Sequence, residues 1–260
     1  MTTPSAEPRL SATVMLLRDG PAGLEVFMVK RHHQIDFASG ALVFPGGKLA
    51  TGDRDPSLRA LCRDVADLPD DALALRACGI RETFEESGVL LARRGAAFVS
   101  GEELALVQPF RPQLDSGALG LAAFLAGQSL TLAADALVPF ARWITPAFMP
   151  KRFDTHFFLA AAPEGATGLH DGGEAVDSVW IRPDDAIAPG SRWTVIFPTR
   201  MNLIKLSRNA TVSEALARAR AEPLVTVEPW IENGPAGAIL RIQPDAGYGD
   251  PAEPLESLRG

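Results

Sequence analysis

Glu82, Glu85 and Glu86 lie within one short run, Arg81-Glu82-Thr83-Phe84-Glu85-Glu86-Ser87-Gly88-Val89. An α-helix turns about 100° per residue, so positions three and four apart share a face. On that spacing Leu73, Ala77, Ile80 and Phe84 form a narrow apolar stripe, with the three glutamates roughly opposite. Like charges so placed repel by about 0.2–0.5 kcal/mol per pair. A cation between them would turn the repulsion into attraction. Hard divalent ions such as Mg²⁺ take oxygen ligands, often one or two carboxylates completed by substrate phosphates. Taken alone, E-x-x-E-E is also what a solvated acidic face looks like, so its neighbours decide.

Those neighbours carry a resemblance. Arg81 to Val89 resembles the second half of the Nudix box, R-E-U-x-E-E-x-G-U, where U is a bulky aliphatic residue. Gly47, five residues and then Asp53 resemble its first half, G-x5-E. Three features depart from the pattern. Asp53 replaces a glutamate, Thr83 replaces an aliphatic residue, and residues 54–80 fill a gap that usually holds seven. Upstream, the run from Lys30 to Gly47 resembles the approach to the box in the peroxisomal coenzyme A diphosphatase branch, which also carries a long insertion in its box. Arg152 to Phe158 is similar to that branch too, so the likeness spans most of residues 9 to 220.

The resemblance implies roles. Glu82 and Glu86 would sit on a metal, helped by the Gly46 carbonyl, and Glu85 would hold a second ion or an ordered water. Arg81 and Asp53 would form an orienting salt bridge, with Gly47 and Gly88 shaping the box. Glu174 stands where many Nudix proteins carry a further glutamate; it is a ligand or general base, or else a solvated turn residue. Lys30 and Arg31 are candidate phosphate contacts, or ordinary strand-end charges. A diphosphate is anionic and stable, so its hydrolysis needs water activated and charge neutralised, which metal ions do. The implied activity is a Mg²⁺- or Mn²⁺-dependent hydrolase of a nucleoside diphosphate linked to another group, coenzyme A or an acyl derivative being preferred. ADP-ribose or dinucleotides come second. A non-catalytic Nudix-type ligand sensor is the alternative from another class, although a pure binder need not keep three repelling carboxylates.

Composition sets bounds. The formal charge of −7 argues against a nucleic-acid surface, which leans on clustered Lys and Arg. It leaves a small anionic substrate open, because a metal supplies local positive charge. Hydrophobic residues at 47% and charged ones at 22% are ordinary for a soluble globule. Cys62 and Cys78 make no disulfide framework and read as reduced packing residues in helical pattern. Met1 to Pro8 lacks the apolar core of a signal peptide, and the Ala118–Gly127 run is too short to span a bilayer. Ser257-Leu258-Arg259-Gly260 is no peroxisomal address, so a bacterial-type cytoplasmic protein is expected. The oligomeric state is left open, a homodimer included. The histidines His32, His33, His156 and His170 lack metal spacing, and the four tryptophans read as core or rim.

The elements that must position the glutamates follow from periodicity. Leu10–Arg18 and Leu24–Lys30 read as an antiparallel hairpin, and Ala41–Phe44 as a short strand stopping at Pro45-Gly46-Gly47. Asp55 and Pro56 begin an insertion helix striped by Leu58, Leu61 and Val65, which narrows the substrate entrance or covers core. Asp70 then caps the glutamate helix, which ends at Ser87 with Gly88 left-handed. Residues 90–135 read as partly helical. Further strands are expected at 137–144, 155–161 and 176–181, helices at 198–206 and 212–221, and a final strand pair at 224–227 and 238–242. The whole reads as a Nudix-like α/β/α sandwich with a mixed sheet, a helical insertion at 54–76 and C-terminal helical additions, rather than a doubly wound sheet. One domain covers residues 9–245, with tails at 1–8 and 246–260.

Overall fold

The computed structural model describes residues 6–31, 40–168, 175–234, 237–249 and 253–254. In chain order the strands are β1 Arg9–Gly20, β2 Gly23–Arg31, β3 Leu42–Val43, β4 Gly46–Lys48, β5 Ala92–Arg94, β6 Ala97–Phe98, β7 Thr131–Leu132, β8 Val138–Ile144, β9 Phe153–Ala161, β10 Ala175–Ile181, β11 Thr226–Val227, β12 Trp230–Gly234, β13 Gly237–Arg241 and β14 Glu253–Pro254. The helices are α1 Asp70–Ser87, α2 Gly101–Val107, α3 Arg111–Asp115, α4 Leu121–Gly127, α5 Pro183–Ile187, α6 Phe197–Leu206 and α7 Val212–Ala221.

The main sheet runs β10-β2-β1-β9-β8-β11, with β3 on β2 and β4 on β1. It is mixed: β1 with β9 and β8 with β11 are parallel, and the other pairs are antiparallel. β1 is central and apolar on both faces, as a strand covered on both sides must be. Ala12, Val14 and Leu16 join Phe27 and Val29 under α1. Met15 and Leu17 join Val26, Met28 and the α6 residues Met201, Leu203 and Leu206 on the other face. These two layers around one sheet give the expected α/β/α sandwich. Among the described residues no helix is long and apolar enough to cross a membrane.

Three local expectations are corrected. Ahead of α1, the expected insertion helix is only a 3₁₀ segment, Pro56–Leu61, capped by the Asp55 side chain. Beyond it, Arg59 binds the carbonyls of Val65 and Leu68 at 2.7 Å each and the Asp70 carboxylate at 2.7 Å. A guanidinium thus satisfies the carbonyls of the connecting loop, and so short a helical segment gains little by propagating. The apolar stripe survives, because Leu58 and Val65 are buried in the core under α1. Asp70 is the first residue of α1, not its cap, and Pro69 precedes it. Finally, 224–227 and 238–242 do not pair with each other: β11 extends the main sheet beside β8, while β13 lies between β12 and β14.

The expected tail from residue 246 packs at least as far as Tyr248. Its hydroxyl accepts from Trp143 Nε1 at 3.1 Å and donates to Asn202 Oδ1 at 2.7 Å, all three buried. Removing one partner from a buried hydrogen-bonded set costs about 1–3 kcal/mol. Tyr248→Phe is therefore expected to lower unfolding stability by roughly that amount in urea titrations. An unchanged midpoint would mean that the segment is not part of the cooperative unit.

Candidate active site

The long strand β1 divides its partners. Leu17–Gly20 pairs with β2, and Ser11–Thr13 pairs with β4. α1 crosses β1 closely where Gly79 meets it: a Cβ there would lie 3.0 Å from Val14 Cγ2. The glycine strand β4 is thereby brought against the helix. Gly46 N donates to Glu86 Oε2 at 3.1 Å. A Cβ on Gly47 would run into the Glu82 carboxylate, and one on Gly46 would lie 2.5 Å from the Ala12 carbonyl oxygen. Gly46 is therefore a steric requirement of this contact, beyond forming a turn, because a side chain there would strike backbone, while one at Gly47 would displace the Glu82 carboxylate. The Gly46 contact seen is through its N–H.

Arg81 organises the charges. Asp53 sits in a 3₁₀ turn, Thr51–Arg54, and is 2% exposed. Arg81 Nε and Nη2 donate to its two oxygens at 2.8 and 2.9 Å, and Ala50 N donates to Oδ2 at 2.8 Å. The shorter acid thus reaches its arginine in the bidentate geometry that guanidinium and carboxylate favour. Arg81 also donates to the Lys48 carbonyl at 3.2 Å and lies 2.9 Å from Glu82 and 2.8 Å from Glu85. Burial alone would lower the Arg81 pKa; the Asp53 hydrogen bonds and the charges of Glu82, Asp53 and Glu85 outweigh it and hold the guanidinium firmly protonated.

The glutamates are not a solvated face. Glu85 and Glu86 are each 7% exposed. Glu85 Oε2 binds Arg81, while Oε1 is buried without a hydrogen-bond partner. Desolvation, opposed by Arg81 and reinforced by Glu82, pushes the Glu85 carboxyl up to about 7. Thr83, where an aliphatic residue was expected, is fully buried and satisfies its hydroxyl on the Gly79 carbonyl at 2.6 Å. An orphaned carboxylate oxygen, and carboxylates crowded against backbone that has no side chains, suit a hard cation. Among the described residues no three His, Cys, Asp or Glu side chains converge as one metal cluster. An ion would take two carboxylates and complete its shell from backbone, water and phosphates, as Mg²⁺ commonly does.

The other candidates lie elsewhere. Lys30 pairs with Leu42, which belongs to the core layer opposite α1, so alternation puts Lys30 on the face away from the glutamates. Arg31 closes β2 opposite Ala175; its side chain, together with Glu174, His32, His33 and His170, lies outside the described residues. His156 on β9 stands 3.5 Å from Asp154, which is itself bound to Arg142. Trp143 is buried in the core and Trp230 is 43% exposed. One contact was not foreseen: Arg111 from α3 donates to the Glu85 carbonyl at 2.8 Å.

A model of the NUDT19 Nudix domain matches residues 60–198, more than half of the chain. The chain belongs to the Nudix family. The match begins after the glycine strand and Asp53, so the first half of the Nudix box is carried by the contacts described above. The human and Xenopus laevis proteins named acyl-coenzyme A diphosphatase NUDT19 are 29% identical over 212 residues and 24% identical over 204 residues. These alignments cover 65% and 63% of this chain and 56% and 54% of those proteins, so the chain spans about half the length of the curated relatives it matches. A NUDIX hydrolase crystal structure from Alicyclobacillus acidocaldarius is 27% identical with a TM-score of 0.68, over 82% of this chain and 96% of that one. The chain resembles the coenzyme A diphosphatase branch of the Nudix hydrolases.

Two predictions follow from the Nudix box geometry. Stranding one member of a buried ion pair costs about 3–5 kcal/mol, so Arg81→Ala should lose stability on that scale, with Asp53→Asn losing less because it keeps the size. Asp53→Glu adds a methylene where both oxygens are already bound, and turnover should fall modestly; a clear gain would mean that Asp53 is a weakened partner. The second concerns Glu85. Its folded pKa of about 7 lies above the unfolded value of about 4.3. The native state then holds the proton more tightly, and stability falls as pH rises through that window. Without added metal, Glu85→Gln should be more stable than the parent by on the order of 3–4 kcal/mol at pH 8 and about equal at pH 4. Equal melting curves at both pH values would remove the assignment.

Proposed function

We propose that this chain is a metal-dependent Nudix diphosphatase that hydrolyses the diphosphate of a nucleoside diphosphate linked to another group, with coenzyme A or an acyl-coenzyme A as substrate. The observation that carries this reading is the closure of the glycine strand on the glutamate helix, with Glu86 on Gly46, Glu82 against Gly47 and Arg81 tying Asp53 to both. The substrate class is supported by the acyl-coenzyme A diphosphatase activity for which the NUDT19 relatives are named. The compartment proposed is the cytoplasm, as expected from sequence.

Glu82 and Glu86, with the Gly46 carbonyl, would hold Mg²⁺ or Mn²⁺. When bound, such an ion neutralises the diphosphate and lowers the pKa of coordinated water. Arg81 fixes the Glu82 and Glu85 carboxylates relative to the loop. Glu85 takes a proton at its free Oε1, and a pKa of about 7 suits a general base at neutral pH. Glu174 is the other candidate base and Arg31 a candidate phosphate contact, while Lys30, on the face away from the glutamates, is not proposed as one. Hydrolysis adds water across the P–O–P bridge; for coenzyme A it yields 3′,5′-ADP and a phosphopantetheine.

A screen of diphosphate compounds with Mg²⁺ and Mn²⁺ tests the activity. Glu82→Gln and Glu86→Gln are each expected to abolish turnover while keeping the parent's melting temperature, since removing repelling charge does not weaken the helix. Near-normal rates at saturating metal in either variant would refute the ligand assignment.

A further inference from the structure

α1 ends unfavourably for the charges it carries. Glu82, Glu85 and Glu86 occupy its last two turns, and no basic residue lies in its last turn. The carboxyl end of a helix carries about half a negative charge and favours cations. Its last carbonyls also lack partners within the helix. Gly88 turns the chain away in the left-handed region, at φ 70°.

Two side chains from outside the Nudix box meet this end. Arg111 Nη2 donates to the Glu85 carbonyl at 2.8 Å, and Gln108 Nε2 donates to the Gly88 carbonyl at 2.8 Å. Arg111 Nη1 reaches Gln108 Oε1 at 3.3 Å, so the two brace each other. Both close over Gly88, where a Cβ would lie 2.9 Å from Arg111 Nη1 and 3.0 Å from Gln108 Oε1. Gly88 is thus favoured by its left-handed backbone angle, and a side chain there would push aside the ends of Arg111 and Gln108.

We propose that Arg111 and Gln108 are positioning residues: they clamp the carboxyl end of α1 and so set the Glu86 carboxylate for metal, with Glu85 held beside it. The inference rests on the reading of α1 as the metal helix. A fraying last turn would move the backbone that carries Glu85 and Glu86 and pull their carboxylates away from Arg81 and the Gly46 N–H, whereas Glu82 lies a turn further from the end.

A purely electrostatic role predicts the opposite effect on metal. Removing a cation near the site would strengthen ion binding, while loosening the helix end weakens it. The full chain is compared with Arg111→Met, Arg111→Lys and Gln108→Leu. Mn²⁺ affinity is measured by calorimetry without substrate, and amide exchange is followed over residues 85–89. Arg111→Met and Gln108→Leu are each expected to weaken Mn²⁺ binding about tenfold, the scale at which groups supporting metal ligands act. Exchange at 85–89 should quicken while β1 keeps its protection, and Arg111→Lys should recover part of both. Unchanged or tighter Mn²⁺ binding overturns the proposal, even if exchange quickens, since the clamp would then be a structural cap alone. Should the parent bind no Mn²⁺, the proposed function fails; unaltered exchange in the variants would then overturn the clamp separately.

Discussion

Three carboxylates stand in the last two turns of one helix, two of them buried, at the end where the helix field disfavours them. The surrounding structure is arranged around that electrostatic load. Arg81 answers it from within the helix, binding Asp53 through two hydrogen bonds and lying beside Glu82 and Glu85. The same guanidinium reaches the Lys48 carbonyl, so one side chain fastens the glycine strand, the loop acid and the glutamates together. Burial strengthens each attraction and makes each unpaired group expensive. Glu85 Oε1 is where the compensation stops, and that is where a cation or a proton has most to gain.

The sheet brings these groups within reach. By pairing Leu17–Gly20 with β2 and Ser11–Thr13 with β4, β1 lets a three-residue strand of Gly46, Gly47 and Lys48 lie beside α1. Gly79 permits close crossing, and Phe84 stacks on Phe124 of α4 at 5.8 Å, shutting the apolar side of the helix from water. The glutamate side is consequently a buried polar seam between the helix and the glycine strand.

The long insertion in the Nudix box belongs to this packing. Leu58 and Val65 enter the core beneath α1, and Cys62 bridges to Leu132. Arg59 gathers the connecting carbonyls, and Arg54 pairs with Asp71 at the start of the helix. Of the two roles left open from sequence, covering core is the one these contacts support. The insertion also lengthens α1 toward its amino end, where Asp70 and Asp71 suit the helix field.

Local pattern made much of this legible. The period of Leu73, Ala77, Ile80 and Phe84 gave the helix and its buried stripe, the antiparallel hairpin followed from its turn, and Gly88 marked the helix end. Each is decided by neighbours in the chain. Tertiary structure decided what depends on distant partners. The glutamates lose their water because the glycine strand and α3 pack against that part of α1, and no sequence window shows that covering. Asp53 reaches Arg81 because its 3₁₀ turn lies close to the helix, a fact of chain path rather than side-chain length. Residues 224–227 and 238–242 look alike as apolar runs, yet they join different sheets, since pairing is chosen by which edge stands open. Arg111 and Gln108 come from the stretch whose sequence said least. Their one trace in the chain was a helix ending in three acids with no base beside them, and only the fold shows which side chains answer it.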